Sequence, residues 1–212
     1  MSNRLSLVLA IALAAGACAK NESGSVSQPT PTPAVTGPVL TFQPDVTSPQ
    51  GETVGLTYGS RSQAPGKIVV SVSGFNIQNQ VGSVSGVSSV TGRLRWDNDL
   101  LEVDAIGIGD VLGGNAGGSS CGNRLNSQGT YEFCVANPDR SSRMTGNGEF
   151  LLIRLQPRTG VLQGTSRIDF EEFEANEGAS FTWRTFVLFG PYSPANPVVP
   201  PVFGGTITIR PN

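Results

Sequence analysis

A chain of 212 residues has room for one domain with tails. Charged residues make up only 14%, while Gly (27) and Pro (15) are abundant, and that mixture disfavours long solvated helices. A net charge of −2 gives no sign of a nucleic-acid partner, and the complete lack of histidine excludes Ser-His-Asp and Cys-His catalysis and His-ligated metals.

Met1-Ser2-Asn3-Arg4 is a short positive start. Leu5 to Ala15 is apolar but too short to span a bilayer as a helix, and Ala15-Gly16-Ala17-Cys18 follows. Residues 1–17 therefore read as a signal peptide. The run ending at Cys18 resembles the lipobox of bacterial lipoproteins, with Ala15 standing where a Leu is usual. Cleavage without lipid is the alternative. The resemblance implies that Cys18 is acylated and becomes the new N-terminus, and more than one acyl chain holds a protein firmly on a membrane. Lys20 and the absence of an acidic neighbour favour the outer membrane or cell surface over the inner membrane. Residues 18–38 then form a spacer, in which Pro29, Pro31 and Pro33 alternate with Thr and extend the chain.

From residue 39 to 212, short apolar runs alternate with Gly, Pro, Asn and Asp. Ile68, Val70 and Val72 share one face of a strand, with Val69, Ser71 and Ser73 opposite. Val90, Leu94 and Trp96 face inward on the next, while Thr91, Arg93 and Arg95 point outward. Gly92 between them leaves room for close packing. Asp97 to Asp99 turn the chain. Leu151, Ile153 and Leu155 make a further inward set. Ile168–Phe170, Phe181–Phe189 and Ile207 with Ile209 complete the pattern. About nine short strands separated by turns predict an all-β fold, a two-sheet antiparallel sandwich of jelly-roll or immunoglobulin-like type.

The run Trp96-Asp97-Asn98-Asp99-Leu100-Leu101-Glu102-Val103 leads on to Gly109-Asp110-Val111-Leu112. Gly146-Asn147-Gly148-Glu149-Phe150 through Leu155 and Gly205-Thr206-Ile207-Thr208-Ile209 follow in order. Together these resemble the cohesin family over about residues 65–210. Asn98 and Asp99 stand where that family more often has Pro-Ser, and the stretch 113–148 holds a cysteine pair that ordinary cohesins lack. The resemblance implies a nine-stranded jelly-roll-like sandwich, in a superfamily shared with some carbohydrate-binding modules. It also implies a non-catalytic module that binds a dockerin-like partner through one sheet face.

Acylation of Cys18 leaves Cys121 and Cys134 as an even pair, read as a disulfide that closes a loop worth about 3 kcal/mol. A metal or redox pair is the alternative, with no other soft ligand nearby in sequence. Asp97 and Asp99 fit turn stabilisation better than acid/base work. Glu171, Glu172, Glu174 and Glu177 lack the spacing of a calcium loop and read as a solvated strand end or loop. No cofactor or metal is expected, and no enzyme. The expected function is attachment of a protein partner at the cell envelope, with Arg93 and Arg95 as candidate contacts. Polysaccharide binding through Trp183 or Tyr192 is one alternative, and a structural envelope lipoprotein without a soluble ligand is another.

Overall fold

The computed structural model describes residues 37–212 apart from 62–63, 79–85, 111–118, 121–122, 138–143, 177–180, 185 and 191–192. Strands are numbered in chain order. The larger sheet runs β1 (Val39–Pro44), β16 (Gly205–Arg210), β10 (Gly164–Phe170), β4 (Ser89–Trp96), β13 (Phe186–Gly190), β14 (Ser193–Val198). On the other side of β4 lies β8 (Thr130–Ala136), and β6 (Ser119–Ser120) and β7 (Arg124–Leu125) pair with β8 in turn. The smaller sheet runs β15 (Val202–Phe203), β2 (Thr53–Tyr58), β3 (Ile68–Ile77), β9 (Gly146–Pro157), β5 (Leu101–Ile108). Among the described residues, β11 (Phe173–Asn176) and β12 (Phe181–Arg184) pair only with each other. The result is an all-β sandwich.

The two-residue period explains the core. Val90, Leu94 and Trp96 of β4 are buried, as are Ile68, Val70 and Val72 of β3 and Leu151, Ile153 and Leu155 of β9. Each such side chain contributes roughly 1.5–3 kcal/mol on leaving water. At the centre Phe186 meets Phe133, Phe150 and Phe170 with ring centroids 6.0, 6.1 and 5.7 Å away. Gly92 lies beneath this cluster. A Cβ there would stand 2.8 Å from both Phe133 and Phe186, so the strand tolerates no side chain at that point.

Three features depart from the sequence pattern. The about nine expected strands are divided into more segments. β10 and β13 share one edge of β4 end to end: the Glu171 amide donates to the Arg93 carbonyl at 2.9 Å, and Phe186 pairs with the adjacent Gly92. The chain between Glu171 and Phe186 leaves the sheet, and its described part folds into the β11/β12 hairpin. The run Phe181–Phe189 is therefore two strands, β12 on the hairpin and β13 in the sheet. Second, the pairing of β15 with β2 is parallel. Third, Val69 and Ser71 are buried although they face away from the core. The segment after β2 lies over Val69, and the Ser71 hydroxyl bonds that of Ser73. Gly59 packs against Val69 and Leu152, Ser60 bonds Glu149 through its amide (2.8 Å) and hydroxyl, and Arg61 donates to the Ile108 carbonyl at 3.3 Å.

Candidate functional site

The two outer faces differ in access. On the smaller sheet the strap at residues 59–61 covers Val69 and Leu152, and small hydroxyls bond one another beside it. Thr57 meets Ser73 at 2.9 Å and Ser73 meets Ser71 at 3.0 Å. On the larger sheet the described outward side chains of β4 and β10 are charged or polar, and Arg95, Thr165 and Arg167 are exposed. Along β4, Thr91 pairs with Cys134 of β8 and Val187 of β13, Arg93 with Glu132 of β8, and Arg95 with Thr130 of β8 and Asp169 of β10. Arg93 pairs with Glu132 at 2.8 Å and donates to the Glu172 carbonyl at 3.1 Å. Arg95 reaches Glu171 at 3.2 Å and keeps 66% of its side chain exposed, so this ion pair holds it loosely. Arg167 is gripped by both oxygens of Asp45 and by Asp169 at 3.0 Å.

The sheet edges are poor docking sites. Phe42 of β1 turns its amide outward, and Tyr58 Oη accepts it at 2.9 Å. Pro44, next on that edge, has no amide to offer. β14 contains Pro194 and Pro197. β5 carries an irregularity between Val103 and Ala105, and Asp104 at that point is held by Lys67 and Arg154. The remaining edges, β6, β7 and β15, are two residues long. Bulges, prolines, charges and short strands each discourage strand addition. Of the described surfaces, the outer face of the larger sheet is the most open around Arg95 and Arg167, while beyond Arg93 the base of the hairpin and β11, with its buried Phe173, lie close to β4.

Two grooves cut that face. One of about 670 Å³ lies between Arg95, Asp97, Asp99, Gln128, Arg167 and Asp169. The other, about 320 Å³, is bounded by Arg93, Arg95, Arg124, Gln128, Glu132 and Glu171. Asp97 performs turn duty, since its Oδ1 accepts the Asp99 amide at 2.9 Å. Among the described residues no group of His, Cys, Asp or Glu is placed to hold a metal ion. The hydrogen bond from Lys67, aided by Arg154, holds the Asp104 carboxyl below its usual range. Asp45, and after it Asp169, hold the Arg167 charge more firmly than solvent would.

Of the residues singled out from sequence, Arg93 and Arg95 lie on this face. Trp183 sits in β12 opposite Glu174, on the hairpin and off the sheet. Cys134 lies in β8, while Cys18, Cys121, Tyr192 and Glu177 lie outside the described residues. Trp96 is buried, 4% exposed. The sequence reading missed Arg124, Arg167 and Asp45. Arg124 belongs to a two-residue strand without alternation, and Asp45 meets Arg167 across 122 positions of chain.

Beneath the face, burial pushes the Tyr131 phenol up to about 12 from 10.0. The folded state therefore holds this proton more tightly than the unfolded chain. Its contribution to stability is whole below pH 10 and is lost as pH rises from 10 to 12. Urea-unfolding free energies measured across that range are expected to fall, and Tyr131→Phe is expected to flatten the fall. An equal slope in the Phe variant would assign the alkaline loss to other groups.

No protein-family model matches the sequence, and no curated protein sequence matches it. The fold does have solved counterparts: the sandwich has the fold of cohesin domains. A type II cohesin domain from the cellulosome of Acetivibrio cellulolyticus is similar with a TM-score of 0.53, at 14% identity over 74% of this chain and 94% of that one. The second type II cohesin module of the cellulosomal adaptor ScaA scaffoldin from the same organism gives 0.52 at 14% identity, over 72% and 92% of the two chains. The type I cohesin–dockerin complex Coh-OlpA–Doc918 from Clostridium thermocellum gives 0.50 at 20% identity, over 72% and 96%.

Proposed function

We propose that this chain is a non-catalytic docking module, held at the cell envelope by lipid on Cys18 and a proline-stiffened spacer. Its partner is a dockerin-like protein that lies on the outer face of the larger sheet. One observation carries the reading: around Arg95 that face is open, charged and cut by two grooves, while the opposite face is strapped and the edges are blunted. Solved cohesins of this fold have been crystallised with dockerins, which supports a protein as the occupant. An anchor with reach raises the effective concentration of such a module for partners at the same surface. Polysaccharide binding through Trp183 or Tyr192 is the weaker reading. Tyr58 is the one well-exposed ring among the described large hydrophobics, and its hydroxyl is already bonded to Phe42.

Crosslinking on intact envelopes tests this. Thr91→Arg places bulk at the centre of the face, and Arg95→Glu reverses a charge there. Each is expected to weaken partner capture at least about tenfold, or about 1.4 kcal/mol, with thermal stability unchanged. Gln156→Lys on the smaller sheet is expected to leave capture intact. Cys18→Ser is expected to move the chain from the membrane to the soluble fraction. Capture that survives both face variants would overturn the docking reading, and membrane retention of the Ser variant would overturn the anchor.

A further inference from the structure

The two grooves of the open face differ in charge. The larger sets Asp97, Asp99 and Asp169 against Arg95 and Arg167. The smaller sets Arg93, Arg95 and Arg124 against Glu132 and Glu171. Both glutamates in the smaller groove are already engaged, Glu132 by Arg93 and Glu171 by Arg95. The Arg124 side chain is exposed and makes no ion pair or side-chain hydrogen bond with any described residue. It stands across the β7/β8 ladder from Glu132, whose carboxylate is turned to Arg93 on the far side.

We propose that this smaller groove takes a carboxylate from an acidic segment of the docked partner, with Arg124 as its first contact. The inference rests on the docking reading and gives the partner its chemistry. A guanidinium presents a planar fork that meets a carboxylate through two parallel hydrogen bonds. Arg93 and Arg95 flank the same concavity, so an incoming carboxylate meets three cations there. Arg95, loosely held, can share its donors between Glu171 and the newcomer. The chain as a whole carries net charge −2. Diffuse attraction to an acidic ligand is therefore absent, and binding by one must be local. The neighbouring groove repels the same segment through Asp97 and Asp99, which fixes which end of the face the acidic part occupies.

The test uses the full chain and three short synthetic peptides, alternating Glu–Gly, Gln–Gly and Lys–Gly, followed by NMR at the arginine side-chain Nε–H signals. The Glu–Gly peptide is expected to shift Arg124 and Arg95 at low salt and to lose most of its effect at about 0.5 M NaCl, where exposed charges are screened within a few ångströms. Arg124→Gln is expected to weaken binding at least about fivefold, and Arg124→Lys to restore part of it. No shift with the Glu–Gly peptide, equal binding by Arg124→Gln, or equal binding of the Lys–Gly peptide would each overturn the proposal. Envelope crosslinking separates this failure from that of the docking reading. Capture lost in Thr91→Arg but kept at full strength in Arg124→Gln would sink the carboxylate pocket and leave the face standing. Capture kept in all three variants Thr91→Arg, Arg95→Glu and Arg124→Gln would sink both.

Discussion

Replacing Phe186 by alanine is expected to cost the domain about 3–5 kcal/mol, the range for deleting a buried ring that leaves a cavity. Phe186 is fully buried and touches three other rings, so few neighbours can close the gap. It is also the residue at which the chain rejoins the sheet after the hairpin, beside Gly92 of β4. With a total stability of about 5–15 kcal/mol for a natural domain, such a loss is a large fraction. For a chain of this size it lowers the melting temperature by roughly 6–20 °C. Phe186→Leu, which keeps most of the volume, is expected to cost much less. Native-state hydrogen exchange adds a local readout. Amides of β13 and of Glu171 are expected to lose protection before those of β3 and β9. A loss below about 1 kcal/mol, or uniform loosening, would mean that the ring cluster does not support the sheet at this point.

That expectation ties the core to the face. Arg93 and Arg95 project from the strand whose opposite side packs on Phe133 and Phe186, and Arg93 also holds the base of the hairpin through the Glu172 carbonyl. The spacing of the charged groups is thus set by the apolar side of the same strand. Loosening Phe186 should blur the face before the sandwich unfolds.

What was legible in the sequence was local. The alternation from Val90 to Trp96 gave both the buried side and the outward arginines, because side-chain direction in a strand follows from period alone. Gly92 was legible as a close approach, and Asp97 to Asp99 as a turn bonded to its own backbone. Non-local effects were not legible. Val69 read as outward, yet a strap from beyond β2 buries it together with Leu152. Residues 181–189 read as one strand, since nothing within them shows that β4 takes Glu171 and Phe186 as successive partners. Arg167 carries no local signal in the sequence, because its partner Asp45 lies 122 positions away. The contrast between the faces is visible only once the strap on the smaller sheet, the prolines of β14 and the Tyr58 hydroxyl are in place.

Removing the proposed Cys121–Cys134 bridge is the second large expected effect. The ladder supports the pairing from its described neighbours. Ser119 pairs with Ala136 and Ser120 with Val135, so β6 runs beside the strand that carries Cys134. Beyond the pair, the Cys134 amide donates to Asn123 Oδ1 at 3.2 Å, and Arg124 then pairs with Glu132, one position out of the first register. A bridge at this point would hold the short strands β6 and β7 against β8 on either side of the shift, and with them Arg124 at the rim of the smaller groove. Closing a loop of this length stabilises by about 3 kcal/mol. Cys134→Ser is therefore expected to lower the melting temperature by roughly 6–12 °C, and reductant is expected to do the same to the native chain and nothing further to the variant. In a Cys18→Ser background the unfolded, unreduced chain is expected to show no free thiol and to gain the mass of two hydrogens on reduction. Two free thiols would remove the bridge, and Arg124 would then have to be positioned by the β7–β8 pairing and the Asn126 contacts with Gln128 and Thr130 alone.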